Sequence, residues 1–134
     1  MWFRIALAFC GLAGSALHAQ AQTEPVVRIA ELVIDPSQLD AYKAAVKEEM
    51  QAAVQSEPGV LAIYAVAEKD HPSTMHFFEI YASEAAYRAH IQSPHFRKYV
   101  STTQTMIRSR KLIETLPVQL SAKKGAPGFN DLEP

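Results

Sequence analysis

Residues 60–82 read VLAIYAVAEKDHPSTMHFFEIYA, two apolar runs separated by a polar stretch of hairpin length. Val60 to Ala67 and Thr74 to Ala82 are rich in β-branched and aromatic residues, and Lys69-Asp70-His71-Pro72-Ser73 carries turn formers, so the segment predicts a β-hairpin. Both strands are apolar on both sides. Strict alternation places Val60, Ala62, Tyr64 and Val66 on one face of the first and Leu61, Ile63, Ala65 and Ala67 on the other. In the second, Met75, Phe77 and Tyr81 oppose Phe78 and Ile80. A sheet with two apolar faces needs two covers.

Upstream, Val26 to Asp35 (VVRIAELVID) reads as a strand closed by Asp35-Pro36. Ser37 follows as a candidate N-cap, and Leu39, Tyr42, Val46, Met50 and Ala53 recur at helical spacing. Asp40, Lys43, Lys47, Glu48 and Gln51 fall on the wet side, and Glu57-Pro58-Gly59 ends this helix. Downstream, Ser83 opens a second helical stretch in which Ala86, Tyr87, His90 and Ile91 share a face. Ser93-Pro94 interrupts it. A further helix is expected from His95 to about Arg108, with Phe96, Tyr99, Val100, Thr103, Met106 and Ile107 inward. Lys111 to Leu120 is expected as the last strand, and Pro117, which cannot donate to a ladder, assigns it to an edge.

The order β-α-β-β-α-β predicts an α+β chain of ferredoxin-like type, a four-stranded antiparallel sheet with helices on one face. Helices cover one apolar face, and a second copy joined sheet to sheet is the simplest cover for the other, which predicts a homodimer.

The chain has 134 residues, about half hydrophobic and a fifth charged, with 13 Lys+Arg against 14 Asp+Glu. Such a chain is one small domain without the basic excess that nucleic-acid binding needs. Its first residues follow the grammar of a secretory signal. Arg4 supplies the positive region, Ile5 to Leu17 is uncharged and too short for a permanent membrane span, and Ala19-Gln20-Ala21 offers small residues for cleavage. Cleavage before Gln22 is expected, with cleavage after Ala19 as the alternative.

The sole cysteine, Cys10, lies in the signal after Phe9, where a lipoprotein would want a small residue. Removal of 21 of the 134 residues leaves 113 without a cysteine, with 12 basic and 14 acidic side chains. The product is expected in the periplasm or secreted, with no disulfide, no thiolate nucleophile and no stable membrane anchor. The expected organisation is signal peptide 1–21, folded domain 22–120 and a flexible tail 121–134.

Ser56 to Tyr64 (SEPGVLAIY), the strand Phe77-Phe78-Glu79-Ile80-Tyr81 and Ser83 to Phe96 (SEAAYRAHIQSPHF) resemble the antibiotic biosynthesis monooxygenase domain, in particular its small quinol monooxygenase-like members. The resemblance covers residues 26–118. Its typical positions stand here as Glu57-Pro58-Gly59, Tyr64, Glu79, Tyr81 (where Trp is commoner), His90, Ser93 and Phe96. It implies a dimeric α+β barrel that oxygenates a quinol-like or electron-rich aromatic, in a pocket between sheet and helices, without flavin, haem or metal. The domain also serves proteins of no established reaction, so a non-catalytic small-molecule-binding barrel is the alternative. Haem degraders of the family use an Asn on the first strand, and Val26 to Asp35 contains none.

Such an oxygenase needs a base, an apolar box and a group to orient the ring. His90 is the candidate base, on the inward face of its helix, with a buried structural histidine as the plain alternative. Glu79 is a carboxylate inside an apolar strand and the second candidate catalytic residue. Its alternative is a dimer-interface salt bridge to Arg28 or Arg110. Tyr64, Phe78, Tyr81, Tyr87, His95, Phe96 and Tyr99 are the candidate substrate-binding residues, with plain core packing as the alternative for the aromatics.

His90 and His95 are five residues apart, about 500° on an ideal helix, so a preformed two-histidine metal site is not expected. A triad from His76 or His95 with His90 and Glu79 is the weaker possibility. No metal or cofactor is expected. Arg108, Arg110 and Lys111 read as a solvated rim, His71 as a solvated turn residue, and no nucleophile elbow, Walker loop or dinucleotide fingerprint occurs.

Overall fold

The computed structural model describes residues 24–123, so the signal segment and all but the first three residues of the tail lie outside the described residues. The elements are β1 (Val26–Ile34), a 3-10 turn (Pro36–Gln38), α1 (Leu39–Ser56), β2 (Val60–Ala67), β3 (Thr74–Tyr81), α2 (Glu84–His90), α3 (Pro94–Thr103) and β4 (Ile107–Glu114). All pairings in the sheet are antiparallel, in the order β2-β3-β1-β4, the expected ferredoxin-like arrangement.

Local chemistry explains the element ends. Asp35 closes β1, and its Oδ1 accepts from the Ser37 amide at 2.9 Å and the Ser37 hydroxyl at 2.6 Å. Capping therefore falls to Asp35 rather than Ser37, because the chain first makes a 3-10 turn through Pro36. Ser83 caps α2 through the Ala86 amide, and Ser93 caps α3 through the Phe96 amide with Pro94 in the first turn. Each is a short polar side chain where the helix leaves amides unpaired.

Two expectations at the C-terminal end need correction. Helix α3 stops at Thr103, not near Arg108: the Thr103 hydroxyl bonds back to the Tyr99 carbonyl at 2.8 Å, and a turn from Gln104 to Met106 follows. Strand β4 is Ile107–Glu114, not Lys111 to Leu120, because its register is set by β1, from Ile34 opposite Ile107 to Arg28 opposite Glu114. β4 is an edge strand as expected. Pro117 lies beyond it, however, and Leu116 and Val118 are exposed.

The core lies between the sheet and the helices. Ala30, Leu32, Ile34, Met75 and Phe77 meet Tyr42 and Val46 of α1, and Val60, Ile63 and Tyr81 form a second cluster with Ala53. The pairing of β2 with β3 shifts between Val60 and Ala62, so Leu61 is one residue extra, a β-bulge. Beyond the bulge Ile63 opposes Glu79 and Ala65 opposes Phe77, on the helix-covered face. Ala62, Tyr64 and Val66 share the open face with Ile80, Phe78 and His76. Strict alternation, which grouped Val60 with Tyr64, fails there by one residue.

Gly59 packs under α2. A Cβ placed on it would sit 2.5 Å from the Ala86 Cβ, and its carbonyl accepts from the Ala82 amide at 2.9 Å. Gly59→Ala is therefore expected to force α2 away from the β2 edge and destabilise the fold by about 1–3 kcal/mol in urea unfolding. An unchanged midpoint and slope would show that the helix yields without cost.

Candidate active site

His90 is the last residue of α2, only 2 % exposed, and its placement rests on the break between α2 and α3. The Ser93 amide bonds the His90 carbonyl at 2.9 Å, and Pro94 restarts the chain in a new direction. That turn brings His95 back beside His90, with ring centroids 6.1 Å apart. The two rings were expected to diverge, as they would on one continuous helix. Here they belong to two.

Glu57, just past the end of α1, holds both rings. Its Oε1 accepts from His90 Nδ1 at 2.9 Å and from His95 Nε2 at 2.5 Å. With Nδ1 donating to Glu57, His90 Nε2 faces inward, 3.5 Å from Oε1 of Glu49 on α1. The Glu49 side chain is nine-tenths buried, and this oxygen makes no hydrogen bond. Burial, then the carboxylates of Glu79 and Glu57, push the Glu49 carboxyl up to about 7. The reading of the sequence missed Glu49. Its signal was position: Tyr42, Val46, Glu49 and Ala53 are the buried stripe of α1, and a carboxylate occupies one place in it.

The other candidate catalytic residue, Glu79, faces the helices. Its Oε2 accepts from the Tyr81 hydroxyl at 2.7 Å, and burial raises its carboxyl against the opposing pull of that bond, His90 and Arg28. Within the described residues of one chain, Glu79 makes no salt bridge to Arg28 or Arg110. Arg28 instead pairs with Glu84 at 2.9 Å and lies 4.9 Å over the Tyr87 ring.

A cavity of about 180 Å³ lies in front of these groups. Tyr81, Tyr87, Phe96 and Tyr99 wall it, with Glu49, Glu79 and His90 as its acid and base groups, and the exposed Arg110, Leu112 and Glu114 of β4 at its rim. Rings pack tightly around His90, Phe96 at 5.0 Å and Tyr81 at 5.3 Å. The Tyr99 hydroxyl is tied to that of Tyr42 at 2.7 Å, which fixes the wall. A cavity of about 150 Å³ admits benzene, so this one has the volume for a single ring.

Of the sequence-predicted site residues, the cavity thus gathers His90, Glu79, Tyr81, Tyr87, Phe96 and Tyr99. It does not gather three. Tyr64 and Phe78 pair with each other on the open face of the sheet, with Phe78 37 % exposed. His95 stands behind the cavity wall, on Glu57 and beside a smaller cleft lined by Glu48, Glu49 and Lys98. Among the described residues, Glu49, His90 and His95 could hold a metal ion, since one ligand atom from each lies within 4.8 Å of the others.

A four-stranded antiparallel sheet with a cavity of aromatic and titratable side chains under its helices defines a small α+β protein of ferredoxin-like fold. The chain belongs to the antibiotic biosynthesis monooxygenase family, whose sequence profile matches residues 25–102. It is similar to the crystal structure of a protein from Bacteroides thetaiotaomicron assigned as an antibiotic biosynthesis monooxygenase. Identity there is 44 %, coverage 75 % of this chain and 95 % of that one, and the TM-score 0.72.

A protein of Lactobacillus acidophilus assigned as a monooxygenase is 32 % identical over 69 % of this chain and 44 % of its own, with a TM-score of 0.66. One from Nitrosomonas europaea, 19 % identical over 75 % of this chain and 97 % of its own, shares the fold with a TM-score of 0.69. No curated protein matches the sequence. Family membership supports a monooxygenase-type function at the level of the family.

Proposed function

We propose that the protein is an exported, cofactor-independent monooxygenase that oxidises a quinol-like or other electron-rich aromatic with dioxygen. One observation carries this reading: His90 lines an aromatic-walled cavity while Glu57 holds its Nδ1. The arrangement fits a general base, since Glu57 fixes the ring through Nδ1 and sets Nε2 beside the Glu49 carboxyl at 3.5 Å, which can relay the proton.

In the reaction His90 Nε2 takes the proton of a ring hydroxyl. The aryloxide is electron-rich enough to pass electrons to dioxygen directly, and a bond forms between a ring carbon and one oxygen atom. The proton returns to the outer oxygen, with the Glu49 carboxyl 3.5 Å from the imidazole as its second station. The ring carbon then loses its hydrogen as a proton, the oxygen–oxygen bond breaks and water leaves. Quinol and dioxygen thereby yield hydroxyquinone and water, in balance.

The test is oxygen uptake with a panel that includes menadiol and benzoquinol, read above autoxidation. Labelled dioxygen should leave one labelled atom in the product. Absence of uptake with every quinol would overturn the reading in favour of a binding protein that does no chemistry. Export is supported by the signal grammar of residues 1–21. Among the described residues no helix is long and apolar enough to cross a membrane.

We also propose that the open face pairs two copies. Val33, Val66 and Phe78 are 36, 60 and 37 % exposed there. They share that face with Tyr64 and Ile80, and His76 and Lys111 pair with Glu68 and Glu31. Sedimentation at micromolar concentration should give twice the monomer mass of about 12 kDa, taking ~110 Da per residue of ordinary composition, and Phe78→Glu should return the monomer. A wild-type chain that sediments only as monomer would exclude the pair.

A further inference from the structure

We infer that Glu49, His90 and His95 form a site for one divalent transition-metal ion of the zinc class, and that its occupancy turns the base off. The second part rests on the function proposed above; the first does not.

Three features of the cluster point to a cation. The donors come from three separate elements, α1, α2 and α3, yet one ligand atom from each falls within 4.8 Å of the others. The Glu49 oxygen and His90 Nε2 are 3.5 Å apart, close to the separation of two ligands at ~2.0–2.2 Å around a tetrahedral centre. The Glu49 oxygen is moreover buried without a hydrogen-bond partner, an arrangement that costs free energy unless something positive meets it.

The surroundings agree with this donor set. Glu57 bonds both imidazoles, the outer carboxylate that metal-bound histidines commonly have, and on His90 it occupies Nδ1 and leaves Nε2 for the ion. Glu49 and Glu57 together would offset the two charges of the ion inside the protein. Two imidazoles and one carboxylate favour zinc, cobalt or nickel over magnesium or calcium, which prefer all-oxygen sites. The third ligand, His95, is partly exposed beside the outer cleft lined by Glu48 and Lys98, which gives an ion a route that avoids the cavity.

Because the ion would take the lone pair of His90 Nε2, metal binding and proton abstraction exclude each other. The geometry therefore describes an enzyme that free zinc inhibits at stoichiometric amounts.

The experiment uses the purified protein without a polyhistidine tag, stripped with EDTA and dialysed. Cobalt(II) is titrated while visible d–d absorption is followed, and zinc is titrated by calorimetry. One equivalent is expected to bind. Glu49→Gln and His95→Ala should each weaken binding at least tenfold, and Glu57→Gln about 10- to 100-fold. His95→Ala is the variant whose fold is safest, and circular dichroism checks the others.

Absence of both the cobalt band and zinc heat with the wild type would overturn the site. So would affinities unchanged in Glu49→Gln and His95→Ala, or magnesium binding as tightly as zinc. If the stripped protein takes up no oxygen with any quinol, the proposed function fails while the cobalt titration still decides the site. If zinc binds and raises the uptake, the site stands and the off-switch is overturned.

Discussion

On the proposed function, replacing His90 by alanine is expected to lower quinol-dependent oxygen uptake by roughly 10²–10⁴-fold, the range lost with a general base. The imidazole lines the cavity and has its Nδ1 held by the Glu57 carboxylate, which leaves Nε2 free to act as the proposed base. Its removal leaves Glu49 and Glu79 in the wall, and burial raises both carboxyls. The alanine variant also opens space next to Phe96 and Tyr81, so added imidazole is expected to restore part of the rate. Uptake that stays at the wild-type level in a folded variant would remove His90 from the chemistry.

The second large effect is on stability, and it depends on pH. Folding raises the Glu49 carboxyl from an ordinary value of 4.5 to about 7. Between those values the folded protein holds a proton that the unfolded chain has released, so stability falls as pH rises through this window. A displacement of that size corresponds to at most about 3 kcal/mol of stability, present at pH 5 and lost by pH 8. Glu79, also raised by burial, acts in the same sense.

Glu49→Gln keeps the shape and abolishes the titration at this position. In EDTA, the variant should unfold at higher urea than the wild type at pH 8, with the difference shrinking towards pH 5. A difference that is independent of pH would mean that Glu49 does not titrate in the folded protein over this range.

Much of the architecture is legible in the residues because hydrophobic period and turn chemistry agree along most of the chain. Asp35-Pro36, Glu57-Pro58-Gly59, Ser83 and Ser93-Pro94 all mark real ends. The C-terminal strand is not, since Ile107 to Glu114 (IRSRKLIE) has little apolar alternation of its own and acquires its frame from β1. Leu116, Val118 and Leu120 alternate well and pair with nothing within the described sheet.

The site follows the same division. His90 is visible as a polar residue on an inward helix face, and Tyr81, Tyr87 and Phe96 as its aromatic company. Tyr64 and Phe78 are misplaced because aromatic character does not reveal which face of a two-faced strand a residue takes. His95 is missed as a neighbour of His90 because helical angles cannot be summed across a break. Glu49 is hidden by its own good fit to the buried stripe of α1.

The additional residue at Leu61 has a consequence for how such a cavity diversifies. Past that point, odd-numbered side chains of β2 look inward, which gives the wall aliphatic Ile63 and leaves the phenol of Tyr64 outside. The frame is held from the turn end of the hairpin, where Ala67 opposes Met75 and the Glu68 amide bonds the Thr74 carbonyl. A residue gained or lost before Ala62 is therefore taken up at the bulge and re-aims only the strand's entrance. The wall of the cavity is buffered against changes of length on that side, and it varies by substitution at Ile63 rather than by slippage.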